Sequence, residues 1–203
     1  MNVDASTKSD RINEAQSARA RRTKTAIADA MIALVLEGSG FPRVHEIAKR
    51  ANVGVRTVFH HFGDTEKLYG EIIRRLEPKI AGLIVAIDPH DELDQRVRAL
   101  VTQRHQLFCR LSPLRRAARG RADLARSHTV RTAKQRLHYV LDRQVHETFA
   151  NELRTLPDRH GAVLRIAAAL SFELWEHLTR ERGLSGAQVQ RHLSVLVMRE
   201  LAN

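Results

Sequence analysis

Apolar residues recur at three- and four-residue spacing over most of this chain, and that period predicts helices. Ile27, Ala30, Met31, Leu34 and Val35 make the first stripe, which Gly38 and Gly40 close. Residues 1–18 are polar and aperiodic, so they read as a mobile tail, with the first helix starting at Arg19. Val44, Ile47, Ala48 and Ala51 make a short second stripe, interrupted by Asn52-Val53-Gly54. Val55–His61 fits a third short helix, closed by Gly63-Asp64. Asp64 is a plausible N-cap for a longer helix over 65–87, with Glu66 near its positive end. Pro78 lies inside that helix and is expected to kink or split it.

Longer amphipathic segments follow. Leu93, Val97, Leu100, Val101, Phe108 and Leu111 share one face, and Val130, Ala133, Leu137, Leu141, Val145 and Thr148 another. Pro157-Asp158 opens a stretch of about 158–182 (Val163, Ile166, Ala167, Leu170, Leu174, Leu178) that Gly183 ends. Ser185 and Gln188 have capping-box spacing and lead into a stretch of about 186–202. No alternation of β-branched residues between turns competes with this reading, and no repeats occur. The chain reads as all-α, with three short helices and about six longer ones.

Composition then narrows the partners. The 203 residues have 43% hydrophobic content, enough for a compact core. The formal net charge of +11 points to a polyanionic partner, nucleic acid among them. Cys109 is the single cysteine, so no intrachain disulfide can form. No apolar h-region opens the chain, and no apolar run approaches the ~18 residues of a membrane span. These features lead us to expect a cytoplasmic protein without a membrane segment.

The stretch "KRANVGVRTVFHHFGD", Lys49–Asp64, carries the most information. Two short helices joined by a tight turn form a helix-turn-helix. Ala48 and Ala51 are small enough for close helix approach, and Val53 can plug the core beneath the turn. Gly54 is expected to take unusual backbone angles where the second helix begins. Val58 and Phe62, four apart, can bury against the first helix. A recognition helix sets its N-terminal residues against base edges and its flanks against phosphate. Arg56 can pair with guanine O6 and N7, and Val55, Thr57 and Phe59 can meet a thymine methyl. His60 and His61 can donate to phosphate.

The order Ile47-Ala48, Ala51-Asn52-Val53, Thr57-Val58-Phe59, His61-Phe62 and Leu68 resembles the DNA-binding domain of TetR-type transcriptional regulators. The similarity covers roughly residues 20 to 70, and the remainder matches only in helix number and length. Several positions depart from the family pattern. Asn52 stands for the usual glycine, Gly54 for serine, Phe59 for tyrosine and Thr65 for lysine, with Lys67 nearby. Arg43 replaces a frequent threonine cap.

The resemblance implies a helix-turn-helix DNA-binding domain over 19–64 and a ligand-binding and dimerisation domain over 65–203. It implies DNA contact by His45, Val55, Arg56, Thr57, Phe59, His60 and His61, with Arg43, Thr65 and Lys67 beside them. Arg19, Arg21, Arg22 and Lys24 could reach the adjacent backbone or minor groove. The last two helices would form the dimer interface, through Leu170, Leu174, Val189, Leu193, Leu196 and Val197. A dimer doubles the reading surface and so expects a palindromic operator.

By the same resemblance the middle helices enclose a ligand pocket. His105, Phe108, Cys109, Tyr139, Phe172 and Trp175 are its candidate lining. Eleven Lys/Arg between Arg104 and Arg143 face only Asp123 and Asp142, in a part expected to be remote from the operator. They read either as a solvated surface or as recognition of an acidic or acyl ligand by guanidiniums. A repressor released from its duplex operator by a small-molecule inducer is the function implied. A non-specific nucleic-acid binder would account for the charge but not for the ordered motif. An enzyme would need a nucleophile–base set or a phosphate loop, and no GxSxG, P-loop or GxGxxG occurs. No cofactor is implied. His105 and Cys109, with His128 or His138, lack the pattern of a metal site, so none is expected.

Overall fold

The computed structural model describes residues 3–38 and 40–202, and every regular element among them is helical. Helices α1 (Val3–Leu36), α2 (Val44–Arg50), α3 (Val55–Phe62) and α4 (Thr65–Ala81) come first. Then come α5 (Leu93–Arg119), α6 (Ala122–Arg126), α7 (His128–Thr148) and α8 (Ala150–Thr155). Helices α9 (Arg159–Ala169), α10 (Phe172–Glu176) and α11 (Gly186–Leu201) complete the chain.

These helices divide into two compact units. The first combines Met1–Arg75 with Pro113–Thr129, and the second combines Leu76–Ser112 with Val130–Asn203. In the first, Ile27, Met31, Ile47, Val58, Phe62, Leu68 and Ile72 are buried together, as their stripes require. Arg75 fastens α4 to α1, donating to Asp29 at 2.9 Å and to the Thr25 carbonyl at 3.3 Å.

Residues 113–129 belong to this unit, although the sequence suggested a basic region remote from the operator-reading part. Three contacts hold the segment there. The Tyr69 hydroxyl donates to the Leu114 carbonyl at 3.1 Å, and Ser127 Oγ donates to Glu66 at 2.6 Å. The Arg121 guanidinium lies 4.7 Å from the centre of the Phe41 ring, a cation–π distance.

The second unit has one continuous core, from Val97, Leu100 and Phe108 on α5 to Val189, Leu193 and Val197 on α11. Arg96 is also buried, among carboxylate and carbonyl acceptors. It pairs with both oxygens of Glu152 at 2.6 and 3.0 Å and donates to the Thr148 carbonyl at 2.7 Å.

Four features differ from the pattern-based expectation. First, α1 begins at Val3, so residues 3–18 are helical rather than an aperiodic tail. The segment has no glycine or proline and is rich in helix formers, while Asn13–Ser17 are exposed throughout. A run of exposed residues such as Asn13–Ser17 leaves no apolar period to detect.

Second, α4 continues through Pro78 and ends at Ala81, so Leu83 and Ile87 pack against the core from a non-helical segment. Third, the stretch 158–182 is not one helix. Ser171 caps a new start, its Oγ accepting from the Leu174 amide at 3.2 Å.

Fourth, α10 runs into a π-helical turn over His177–Glu181. Thr179 Oγ1 donates to the carbonyls of Trp175 at 2.8 Å and Glu176 at 3.1 Å, in competition with the regular ladder. The Asp64 and Ser185 caps form as expected. Asp64 Oδ1 accepts from the Lys67 amide at 2.7 Å, and Ser185 and Gln188 bond reciprocally.

Candidate nucleic-acid interface

The turn between α2 and α3 is built by Asn52. Its φ of 53° lies in the left-handed region, where asparagine is among the few non-glycine residues tolerated. The amide of Val53 reaches back to the Ala48 carbonyl at 3.0 Å, and that of Asn52 to Lys49 at 3.2 Å. These two bonds are a Schellman closure with asparagine at C′. Gly54, by contrast, has φ −73° and ψ 150°, an extended conformation open to any residue. The expectation of unusual angles at Gly54 is therefore corrected, since the left-handed position is two residues earlier. With glycine there, α3 has no side-chain cap.

The register of α3 then follows from burial. Val58 and Phe62 are buried one turn apart, which turns Val55, Arg56, Phe59 and His60 outward. Val55 is 42% and Phe59 47% exposed, unusual for large apolar side chains with no partner chain, and suited to base methyls. Thr57 and His61 flank this face half-buried. Burial, then repulsion from His60 and Lys24, lowers the pKa of His61 from its ordinary 6.5. At neutral pH it is thus a neutral hydrogen-bonding group rather than a cation.

The basic residues around α3 differ in freedom. Arg43 and His45 are exposed at the start of α2, where Glu46 accepts from the Arg43 amide at 2.6 Å. Arginine has no acceptor, so this is half of a capping box. Arg19, Arg21 and Arg22 are exposed on α1, and Lys24 Nζ lies 5.5 Å from the Phe62 ring centre. Thr65 is half-buried at the first position of α4, and Lys67 pairs with Asp64 at 3.5 Å. Arg50 is held by Glu37 through two bonds of 2.7 and 2.9 Å.

In the second unit, His105, Phe108, Phe172 and Trp175 come together. Phe108 meets Phe172 edge-on at 5.5 Å and Trp175 at 5.8 Å. The Trp175 indole N–H donates to His105 Nδ1 at 3.0 Å, which fixes the neutral tautomer with hydrogen on Nε2. Cys109 Sγ lies 3.6 Å from that Nε2 but is exposed, with its pKa raised by partial burial. Tyr139 is 69% exposed and stands outside the aromatic cluster, so its place in a pocket lining is corrected. Tyr139 lies off the α7 stripe of Leu137, Leu141 and Val145, so the helix turns it away from the core. No group of three or more metal-ligating side chains occurs among the described residues.

The residues expected at a dimer interface also need correction. Leu170, Val189, Leu193 and Val197 are buried in the second unit's own core and have no surface to give a partner chain. Leu174 is half-buried against the same core. Of the six, Leu196 alone is exposed, at 39%. Exposed with it are Val195 at 45% and, on α9, Leu164 at 56%, neither singled out by the stripes. A stripe marks the face buried first, and the monomer core takes it.

Residues 36–72 match the family model of bacterial regulatory proteins, tetR family. No curated protein matches the chain in sequence. Its fold is similar to several solved structures. A transcriptional regulator from Rhodococcus sp. Rha1 aligns with TM-score 0.68 and 18% identity, over 88% of this chain and 96% of that one. A tetR-family regulator from Streptomyces coelicolor aligns with TM-score 0.69 and 16% identity, over 90% and 89%. NalD, the secondary repressor of the MexAB-OprM multidrug efflux pump in Pseudomonas aeruginosa, aligns with TM-score 0.51 and 20% identity, over 90% and 96%. At these identities the likeness establishes the fold.

Proposed function

We propose that this TetR-family protein is a transcriptional repressor that binds a palindromic duplex operator as a dimer and releases it when a small molecule binds. The observation that carries the reading is the outward face of α3. Val55, Arg56, Phe59 and His60 are exposed on a short helix whose opposite side, Val58 and Phe62, anchors it. Side chains fixed in this way can read base edges, while the exposed arginines of α1 and Arg43 hold phosphate.

Dimerisation is supported by Leu164, Val195 and Leu196, exposed apolar side chains on α9 and α11. One eight-residue recognition helix reads few base pairs, and two-fold pairing doubles the site. Ligand response is supported by the aromatic cluster on α5 and α10, which joins an apolar body to the polar His105–Trp175 pair. No helix among the described residues is long and apolar enough to cross a membrane. We assign the protein to the cytoplasm, where its DNA partner lies.

Fluorescence anisotropy with the duplex upstream of the protein's own gene, against a shuffled duplex across a salt series, tests this reading. A specific regulator prefers its operator by at least about a thousand-fold. Equal binding to every duplex in a random-sequence selection, fading together with salt, would leave only non-specific nucleic-acid binding.

A further inference from the structure

Of the basic side chains between Arg104 and Arg143, Arg104 alone is fully buried, at 1% exposure. Its Nη1 donates to Gln144 Oε1 at 2.7 Å and its Nη2 to the Leu141 carbonyl at 2.9 Å. Both acceptors are neutral. Burial pulls its pKa down to about 10, so it stays charged at neutral pH, and Asp142 acts on it only as a longer-range charge. Arg96, the other buried arginine of this unit, has a bidentate carboxylate partner in Glu152. A buried cation without a carboxylate partner is the costly arrangement, and an anion from outside would relieve it.

The surroundings hold the guanidinium ready. Arginine only donates, so Gln144 must present Oε1 to it. The Gln144 amide nitrogen then donates to the Val85 carbonyl at 2.8 Å and to Gln103 Oε1 at 2.9 Å. Gln103 Oε1 also accepts from the Val85 amide at 3.1 Å. One turn along α5 from Arg104 is Phe108, whose ring packs on Phe172 and Trp175. A positive head and an aromatic body thus share one helix face. Trp175 lies two residues before the π-helical turn that opens at His177, a feature that recurs at functional sites.

We infer that Arg104 is the anion-binding residue of the effector site, and that the effector is a carboxylic acid with an apolar or aromatic body. The inference rests on the ligand-responsive reading above. The carboxylate accepts the two guanidinium N–H groups now given to Gln144 and Leu141. Its apolar body enters the Phe108–Phe172–Trp175 cluster. Gln144, released from Arg104, loosens its hold on Val85 in the segment that follows α4.

The test titrates octanoate, decanoate and phenylacetate, each against its methyl ester, into the full-length protein. Trp175, the single tryptophan, reports binding by fluorescence, and thermal melting reports it independently. At least one acid should bind about ten-fold or more tighter than its ester. In Arg104→Met the acid and ester should bind alike, with the acid's advantage lost. If Arg104→Met fails to fold, Arg104→Lys and the acid-to-ester ratio of the unaltered protein decide. Equal binding of acid and ester, or an acid preference that survives Arg104→Met, overturns the assignment. Esters binding where acids do not would overturn it while leaving ligand response standing. No binding by any compound, with no release of operator DNA, would remove both.

Discussion

The hydroxyl of Tyr69, on α4, donates to the carbonyl of Leu114, near the end of α5, across 45 positions of sequence and inside the core of the DNA-reading unit. Burial raises the phenol's pKa well above its ordinary value, so it stays protonated and remains a donor. Tyr69→Phe removes that donor with little loss of volume. The expected cost is about 1 kcal/mol in urea unfolding. Amide exchange over 113–129 should quicken more than exchange in α2 and α3. Uniform exchange changes would mean that the bond does not hold this segment.

Asn52 tests the turn. At φ 53° glycine has no steric penalty and alanine does. Asn52→Gly should leave stability within about 0.5 kcal/mol, whereas Asn52→Ala should lose about 1 kcal/mol. DNA affinity should fall with Asn52→Ala, because the turn sets the register of α3. Indistinguishable melting of the alanine and glycine variants would contradict the turn assignment.

Gly54 offers a gain instead. Its backbone is extended, and a Cβ built there meets only Thr57 Oγ1, at 3.7 Å. Gly54→Ser can therefore cap α3 without strain, and should stabilise the protein by a few tenths of a kcal/mol. Denaturant midpoints at equal m-value would show this. A lower midpoint would mean that the site does not accept the cap.

Arg56 and Arg43 should fail in different ways. Arg56→Ala removes a base-reading group and should cost about 1–3 kcal/mol while relaxing preference at one operator position. Arg43→Ala removes a phosphate contact and should weaken all sequences alike, lowering the salt slope by about 1. Matched effects of the two variants on a panel of mutated operators would refute the division of roles.

Leu196→Glu places a charge in the exposed apolar face of α9 and α11. Sedimentation should show a monomer that keeps its helical circular dichroism and loses operator affinity by at least about a hundred-fold. Val189→Glu should instead unfold the second unit, since Val189 is fully buried. A dimer that persists in Leu196→Glu would place the interface elsewhere.

Acid stability depends on Glu71, which bonds Arg74 at 2.6 Å and Arg75 at 2.9 Å. The hydrogen bond from Arg74, aided by Arg75, holds its pKa at about 2, below its ordinary 4.5. A depressed carboxylate contributes stability that is present above about pH 4.5 and lost as pH falls towards 2. Glu71→Gln should flatten the pH dependence of unfolding over that window. An unchanged slope would show that other carboxylates carry it.

Local pattern is enough to specify the helical class, the helix-turn-helix and the register of α3. Those features rest on local period, on caps such as Asp64 and Ser185, and on two apolar residues four apart, all of which act within a few residues. Even the substituted turn was written locally, in Asn52, a residue that tolerates left-handed geometry. Where each apolar stripe ends up depends on long-range packing. Val189, Leu193 and Val197 look like an interface in sequence, but the monomer's own α5 and α9 reach them first. Arg104 is one of eleven similar cations until α7 folds over it and strips its solvent. Pro113–Thr129 joins the DNA-reading unit through Tyr69, Glu66 and Phe41, none of them near it in the chain. Period shows that a side chain will be buried. Which partner buries it depends on distant elements that no local pattern encodes.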